Sequence, residues 1–223
     1  MKFVIIGADA AGMSAASRAK RNRPDLAVTV LEQTYDVSYS ACGMPYNIAD
    51  PDRDIEELVV RRAEVFREKQ GIDLRTGHRA DRIDPIARTV AGAMSEGTPF
   101  ELPYDRLLIA TGASSIVPNL PGFDRPEVVT LKNLQDGRTI RQLLSDGRVR
   151  KAAVIGMGYI GLEMIEAFRN RNIEVSMVKP RDGFLPWLDD ALSSEVRKEV
   201  EQNDVGLYPG HEILRLEKTG DRL

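Results

Sequence analysis

The sequence has little cysteine, little histidine and no long hydrophobic run. Its 223 residues include one cysteine, Cys42, and two histidines, His78 and His211. A single cysteine excludes an internal disulfide and is typical of a reducing compartment. The apolar run at residues 3–6 is too short for a secretion signal, and no run approaches the roughly 18 apolar residues of a membrane-spanning helix. We therefore expect a cytoplasmic protein with no membrane partner and no metal site.

An excess of one charge is also missing. The chain has 31 Lys and Arg against 34 Asp and Glu, a net charge of −3. This balance does not favour nucleic acid as a partner. The length allows one large domain or two small ones, each with a real core.

A strand–turn–helix–strand pattern occurs twice. The first copy has strands at 3–6 and 27–31 around a turn at 7–12 and a helix at 13–21. The second has strands at 152–155 and 173–178 around a turn at 156–161 and a helix at 162–170. The repeat predicts an α/β protein with two Rossmann-like, doubly wound dinucleotide-binding folds in series.

The other segments complete these folds. We predict domains at 1–112 and 113–223, with a small antiparallel meander in the first. The remaining expected elements are helices at 56–71, 133–144 and 190–203, strands at 72–75, 107–110, 205–208 and 212–216, and meander strands at 79–84, 88–91 and 100–104.

The two turns carry glycine patterns that suit a pyrophosphate. The second, GMGYIG, is a full G-x-G-x-x-G, whereas the first, GADAAG, lacks the middle glycine. Such a turn brings backbone and a helix N-terminus close to an anion. A lone copy could be a packing turn, but two copies in the required context make that improbable.

The residue that ends each second strand indicates which nucleotide binds. Glu32 follows the first and can accept hydrogen bonds from a ribose diol. Lys179 occupies the matching place in the second unit, with Arg181 nearby, and two cations there suit the 2′-phosphate of NADPH rather than NADH. The alternative is that both are solvated surface charges.

Cys42 lies in the polar stretch SYSACGMPY, at residues 38–46. Pro45 is compatible with a helix that begins just after the thiol. Because no second cysteine exists, an oxidised Cys42 must be a sulfenic acid, a persulfide or a mixed disulfide with a small thiol.

Five features in this order, VIIGADAAG, Glu32, SYSACGMPY, YDRLLIATGA and VIGMGYIGLE, resemble the pyridine nucleotide-disulfide oxidoreductase superfamily. The S-x-x-x-C-G-[LM]-P-Y stretch resembles its single-cysteine branch of coenzyme A-disulfide reductases, NADH oxidases and peroxidases, and persulfide reductases. The resemblance implies FAD and NADPH (or NADH) as cofactors. It also implies an enzyme that reduces a disulfide or persulfide, most readily CoA-linked, through Cys42.

The resemblance also implies roles for residues other than Cys42. Those expected to hold FAD are Gly7, Asp9, Ala10, Ala11, Gly12, Glu32, Ala80, Thr111, Gly112, Ala113 and Lys132. Those expected to hold NADPH are Gly156, Gly158, Tyr159, Ile160, Gly161, Glu163, Lys179 and Arg181, with Tyr159 covering the flavin until the nicotinamide displaces it. Those expected to hold CoA are Ser14, Arg18, Arg21, Ser38 and Lys69.

Two of these assignments have plainer alternatives. Arg18 and Arg21 could form an exposed basic helix face, and Tyr159 could be an aromatic residue at a helix start. Family members are about twice as long, so the chain resembles their N-terminal half, without a later FAD segment and a C-terminal dimerisation domain. Two other functions stay open: reduction of O2 or peroxide through a Cys42 sulfenic acid, and a nucleotide-binding fragment without turnover.

Overall fold

The computed structural model describes residues 1–185 and 187–218. The chain divides into two compact units. Unit 1 comprises Met1–Ser40 and Glu56–Ser114, and unit 2 comprises Ala41–Ile55 and Ser115–Leu223, of which residues 186 and 219–223 lie outside the described part.

Unit 1 is built on a parallel sheet of four strands. Their order is β3-β2-β1-β7, with β1 at Lys2–Ile6, β2 at Ala27–Leu31, β3 at Asp73–Arg75 and β7 at Arg106–Ile109. Helix α1, Ala10–Asn22, connects β1 to β2, and α3, Ala63–Gln70, precedes β3. Buried Ile5, Val28 and Val30 from the sheet pack with Met13 and Ala16 of α1. Val4, Ile6 and Leu31 of the same strands are buried in a second cluster, and burial on both faces explains why β1 and β2 are nearly continuous apolar runs.

The same unit holds the predicted antiparallel meander. Its strands are β4 at His78–Asp84, β5 at Thr89–Met94 and β6 at Pro99–Pro103, paired in that order. A second cluster, which includes Val4, Ile6, Leu31 and Val90, packs the meander against the parallel sheet.

Unit 2 contains a parallel sheet of three strands in the order β10-β9-β8. These are β8 at Lys151–Ile155, β9 at Glu174–Lys179 and β10 at Val205–Pro209. The helices of this unit are α2 at Met44–Ala49, α4 at Leu134–Ser145, α5 at Tyr159–Asn170 and α6 at Asp190–Gln202. One core joins them, with Met177, Val175 and Ile165 at its centre and Ile48 of α2 included.

Most predicted elements are present with shifts of a few residues at their ends. The α/β class is confirmed, but two expectations at the level of elements were wrong. Residues 56–71 do not form one helix, because a short 3-10 turn at Ile55–Leu58 is separated from α3. Residues 212–216 form no strand, and the backbone amide of Leu216 instead donates to the carbonyl of Pro121 at 2.9 Å. The predicted domain limits at 112 and 113 stay a prediction.

No helix within 1–185 and 187–218 is long and apolar enough to cross a membrane. In the same residues, no group of three or more His, Cys, Asp or Glu side chains could hold a metal ion.

Candidate functional site

The turns after β1 and β8 have the same backbone geometry. Gly7 has a φ of +106° and Gly156 a φ of +109°, a region that favours glycine. The amide of Gly7 donates to the carbonyl of Leu31 at 2.8 Å, and the amide of Gly156 donates to the carbonyl of Val178 at 2.9 Å. In each unit the turn is thus fixed to the carboxyl end of the neighbouring strand, where doubly wound sheets bind ligands.

The free space around Gly158 indicates whether the second turn suits a ligand. A Cβ built on Gly158 meets no protein atom within 4 Å, whereas one built on Gly161 would lie 2.5 Å from the carbonyl oxygen of Gly156. Packing therefore explains Gly161 but not Gly158. Gly158 is also the N-cap of α5 and supplies no capping side chain. This open glycine beside first-turn amides fits the close approach of a pyrophosphate.

In unit 1, Glu32 lies against the first turn. One carboxylate oxygen accepts from the amide of Ala8 at 2.9 Å, and the other accepts from the amide and hydroxyl of Thr34 at 2.9 and 2.8 Å. The carboxylate is only partly buried, so its remaining acceptor sites can reach a ribose diol. Thr34 is a residue that the sequence analysis did not find.

The other residues expected at FAD lie at several places. Thr111, Gly112 and Ala113 follow β7 and are exposed, and a Cβ on Gly7 would lie 2.2 Å from the carbonyl oxygen of Ala110. The chain after β7 therefore passes directly beside the first turn. Asp9 occupies the place of the missing middle glycine and is the N-cap of α1, which begins with Ala10 and Ala11.

Two further members of this set belong to other segments of the chain. Ala80 is on β4 and packs on the cluster that joins the meander to the parallel sheet. Lys132 belongs to unit 2, where its amide donates to Asp136 at 2.7 Å in the capping box of α4.

Three of the residues expected to bind CoA share one exposed face of α1. Ser14, Arg18 and Arg21 are exposed there, opposite buried Met13 and Ala16. Spacings of four and three residues place them on one side of a helix. Lys69 is exposed in the last turn of α3.

Ser38 has an unusual backbone conformation. Its φ is +50°, which costs a serine energy unless its surroundings enforce it. Its amide donates to the carbonyl of Ala8 at 3.1 Å, and its carbonyl accepts from the amide of Val60 at 2.9 Å. Backbone bonds on both sides therefore hold Ser38 four residues before Cys42.

Cys42 is exposed and lies in unit 2. It is the middle residue of a 3-10 turn, Ala41–Gly43, that leads into α2, with Pro45 in the first turn of that helix. Met44 and Ile48 are buried and fix α2 in the core of unit 2. The thiol therefore lies at the surface, directly before a helix that packs into the core of unit 2.

Helix α2 also packs against α5, which starts at the second turn. A small cavity of about 20 Å³ between them is lined by Pro45 and Tyr46 of α2 and by Glu163 of α5. Within unit 2, the thiol-bearing segment and the expected dinucleotide turn therefore belong to neighbouring helices.

The segment after Cys42 is held by Arg141, which the sequence analysis missed. Its guanidinium donates to the carbonyls of Asn47 at 2.5 Å, Asp50 at 3.0 Å, Pro51 at 3.1 Å and Arg53 at 2.5 Å. No local pattern could reveal this contact, because the donor and its acceptors are about 90 residues apart in sequence.

The second nucleotide set lies at the carboxyl ends of β8 and β9. Lys179 ends β9, and its ammonium donates to the carbonyl of Gly183 at 2.8 Å, while Arg181 is exposed. Tyr159 and Ile160 begin α5 and are both exposed. The indole of Trp187 donates to the hydroxyl of Tyr159 at 3.1 Å. Trp187 was also missed, although it is the only tryptophan in the chain.

Comparisons with known proteins show similar chains and a similar fold. An NADH oxidase of Methanocaldococcus jannaschii is 29% identical over 98% of this chain and 50% of that protein. A CoA-dependent NAD(P)H sulfur oxidoreductase of Pyrococcus abyssi is 36% identical over 96% of this chain and 47% of that protein. The structure of an NAD-dependent persulfide reductase from A. fulgidus superposes with a TM-score of 0.92 at 33% identity, over 97% of this chain and 41% of that one.

The chain spans about half the length of the curated relatives it matches. The model of one family, described as pyridine nucleotide-disulphide oxidoreductase, matches residues 1–223. The chain belongs to the pyridine nucleotide-disulphide oxidoreductase family.

Proposed function

We propose that this chain forms part of an FAD-dependent NAD(P)H oxidoreductase that passes electrons through Cys42 to a disulfide or persulfide, CoA-linked in preference. One observation carries the proposal: an exposed Cys42 directly precedes a helix packed on the helix that starts at a dinucleotide turn. A lone exposed thiol in such a place suits reaction with a small sulfur substrate rather than core packing.

The proposal assigns one dinucleotide to each unit, as two Rossmann-like folds in series. The turn at 7–12 with Glu32 would hold FAD, and Thr111 to Ala113 would line the same ligand. The turn at 156–161 would hold NAD(P)H. Support comes from the matched geometry of Gly7 and Gly156 and from the open space at Gly158.

FAD, when bound, supplies two-electron transfer between a nicotinamide and sulfur. The chain's own residues bind and orient the reactants. Glu32 would fix the ribose of FAD, and Lys179 with Arg181 would attract a 2′-phosphate. The carbonyl of Gly183 holds the ammonium of Lys179 in place.

The thiol chemistry follows from Cys42 alone. Its thiolate would attack one sulfur of a CoA disulfide, forming a mixed disulfide with one CoA and releasing the other as a thiolate. Two electrons from NAD(P)H and two protons, one taken from solvent, would then regenerate the Cys42 thiol and release the second CoA as a thiol. The exposed Arg18 and Arg21 on α1, with Ser14, would meet the phosphates of CoA.

A second function has support from the NADH oxidase of M. jannaschii. Here the thiolate of Cys42 would attack one oxygen of hydrogen peroxide, the O–O bond would break, and the products would be a Cys42 sulfenic acid and a hydroxide that takes a proton from solvent to become water. Two electrons and two protons would return the thiol with release of a second water.

A third possibility is nucleotide binding without turnover by this chain alone. Homodimerisation of the longer protein and a cytoplasmic location are proposals that accompany the first function.

Replacement of Cys42 by Ser tests the thiol route. We expect Cys42→Ser to abolish NADPH-dependent reduction of CoA disulfide or persulfide and to retain reduction of an artificial dye by NADPH. Ser40→Ala, two residues away on an exposed position, is the control and should retain both activities. Disulfide reduction that survives in Cys42→Ser would rule out this route. If the wild-type protein reduces peroxide but not disulfides, and Cys42→Ser no longer reduces peroxide, the second function is favoured.

A further inference from the structure

Tyr159 and Trp187 form a pair of contacting aromatic residues at the surface of unit 2. The proposed function gives Trp187 no role. Their ring centroids lie 5.4 Å apart at an angle of 44°, and the indole N–H donates to the phenol oxygen at 3.1 Å. Both side chains are 60% exposed. A hydrogen-bonded aromatic pair at the surface buries little apolar area, so it contributes little to the stability of the core.

Described residues before and after Trp187 are held within unit 2. Phe184 and Leu185 are buried in the core of unit 2, and the amide of Leu188 donates to the carbonyl of Leu185 at 2.8 Å. Trp187 is therefore presented to solvent from a fixed position. An indole has only one donor, and in Trp187 this donor is used on the phenol oxygen of Tyr159.

The pair spans two neighbouring strand ends. Tyr159 directly follows Gly158 at the carboxyl end of β8, and Trp187 lies in the loop after β9. A dinucleotide that reaches from the turn to Lys179 runs along this same edge of the sheet. The hydrogen bond between Tyr159 and Trp187 crosses that edge.

We propose that Trp187 is a positioning residue for Tyr159: its indole holds the phenol across the dinucleotide crevice, and NAD(P)H must break this bond to bind. The inference rests on the proposed use of the second turn by NAD(P)H. Trp187 therefore sets dinucleotide affinity without supplying a group to the redox chemistry.

Isothermal calorimetry with NADP+ and NADPH measures this directly. Trp187→Phe keeps a ring but removes the N–H, and Tyr159→Phe keeps a ring but removes the acceptor oxygen. Each should lower the dissociation constant by about two- to tenfold, the value of one neutral hydrogen bond. The double variant should gain no more than either single one, because the two changes remove the same bond.

Tyr35→Phe is the matched control, since Tyr35 is an exposed tyrosine, at 73%, that belongs to unit 1 and has no assigned role in binding NAD(P)H. It should leave the dissociation constant unchanged. The emission of Trp187, the only tryptophan, should change on titration with NADP+ in the wild-type chain and much less in Tyr159→Phe.

The outcomes separate the two proposals. If the wild-type chain binds NADP+ but single variants bind equally or more weakly, or their effects add, Trp187 does not hold a barrier and the inference is wrong while the function stands. If the wild-type chain binds neither NADP(H) nor NAD(H), the use of the second turn is wrong and both proposals fall.

Discussion

At the scale of single residues, the charge at the end of β9 governs the preference between NADPH and NADH. Lys179→Glu should raise KM for NADPH by about tenfold or more, since a cation near a phosphate becomes an anion. It should lower KM for NADH, because a carboxylate there suits a free ribose diol. Steady-state kinetics with both cofactors checks this.

The control for Lys179 is Lys198→Glu, on the exposed part of α6. It makes the same charge change far from the end of β9 in sequence and should alter neither KM. Equal shifts in the two lysine variants would mean that only the overall charge of the protein matters.

Asp9 is a second residue whose replacement should have opposite effects on two properties, the stability of α1 and the affinity for FAD. A carboxylate at the N-cap stabilises α1 through the helix dipole, but in the proposed FAD site it faces an anionic pyrophosphate. Asp9→Asn should therefore lower the melting temperature of the FAD-free chain and strengthen FAD binding several-fold. Calorimetric melting and a fluorescence titration with FAD measure the two effects. Weaker FAD binding in Asp9→Asn would place the carboxylate among favourable contacts of the ligand.

At the scale of elements, Arg141 fixes the segment that follows the thiol to α4. Arg141→Met should leave four carbonyls without their guanidinium donor and lower the free energy of unfolding by about 2–4 kcal/mol. Urea unfolding measures this. Arg148→Met is the control, because the side chain of Arg148 is 87% exposed and pairs only with the nearby Asp146 among the contacts described. Such surface pairs contribute little, and an equal loss in both variants would contradict the assigned role of Arg141.

Local patterns predicted the elements that depend on neighbouring residues. The apolar runs of β1, β2 and β9 and the turn glycines are adjacent in sequence to what they specify. The 3-10 turn at Ile55–Leu58 and the absence of a strand at 212–216 were missed, because both segments bond to residues distant in sequence: the amide of Ser40 donates to the carbonyl of Leu58 at 2.8 Å, and the amide of Leu216 donates to the carbonyl of Pro121 at 2.9 Å. Arg141 and Trp187 act on residues that are distant in sequence, so spacing carries no signal for them.

At the scale of the whole molecule, the two units offer separate tests of cofactor binding. The residues proposed for FAD lie in unit 1 except Lys132, and those proposed for NAD(P)H lie in unit 2. The only tryptophan lies in unit 2. Its emission therefore reports on that unit, while flavin absorbance reports on FAD.

Added FAD should bind to the purified, desalted chain and protect it from heat. At a free concentration 100-fold above the dissociation constant, a ligand that binds only the folded state adds about 2.7 kcal/mol. A chain of this size gains about 2–4 °C for each kcal/mol, so the melting midpoint should rise by about 5–10 °C. Riboflavin lacks the pyrophosphate and the adenosine, and should give a much smaller rise at the same concentration. Glu32→Gln should reduce the effect of FAD, because a neutral amide is a weaker acceptor for the ribose diol. An equal rise with riboflavin would mean that the turn at residues 7–12 does not hold a dinucleotide, and the absence of any rise with FAD would mean that this chain alone does not bind the cofactor.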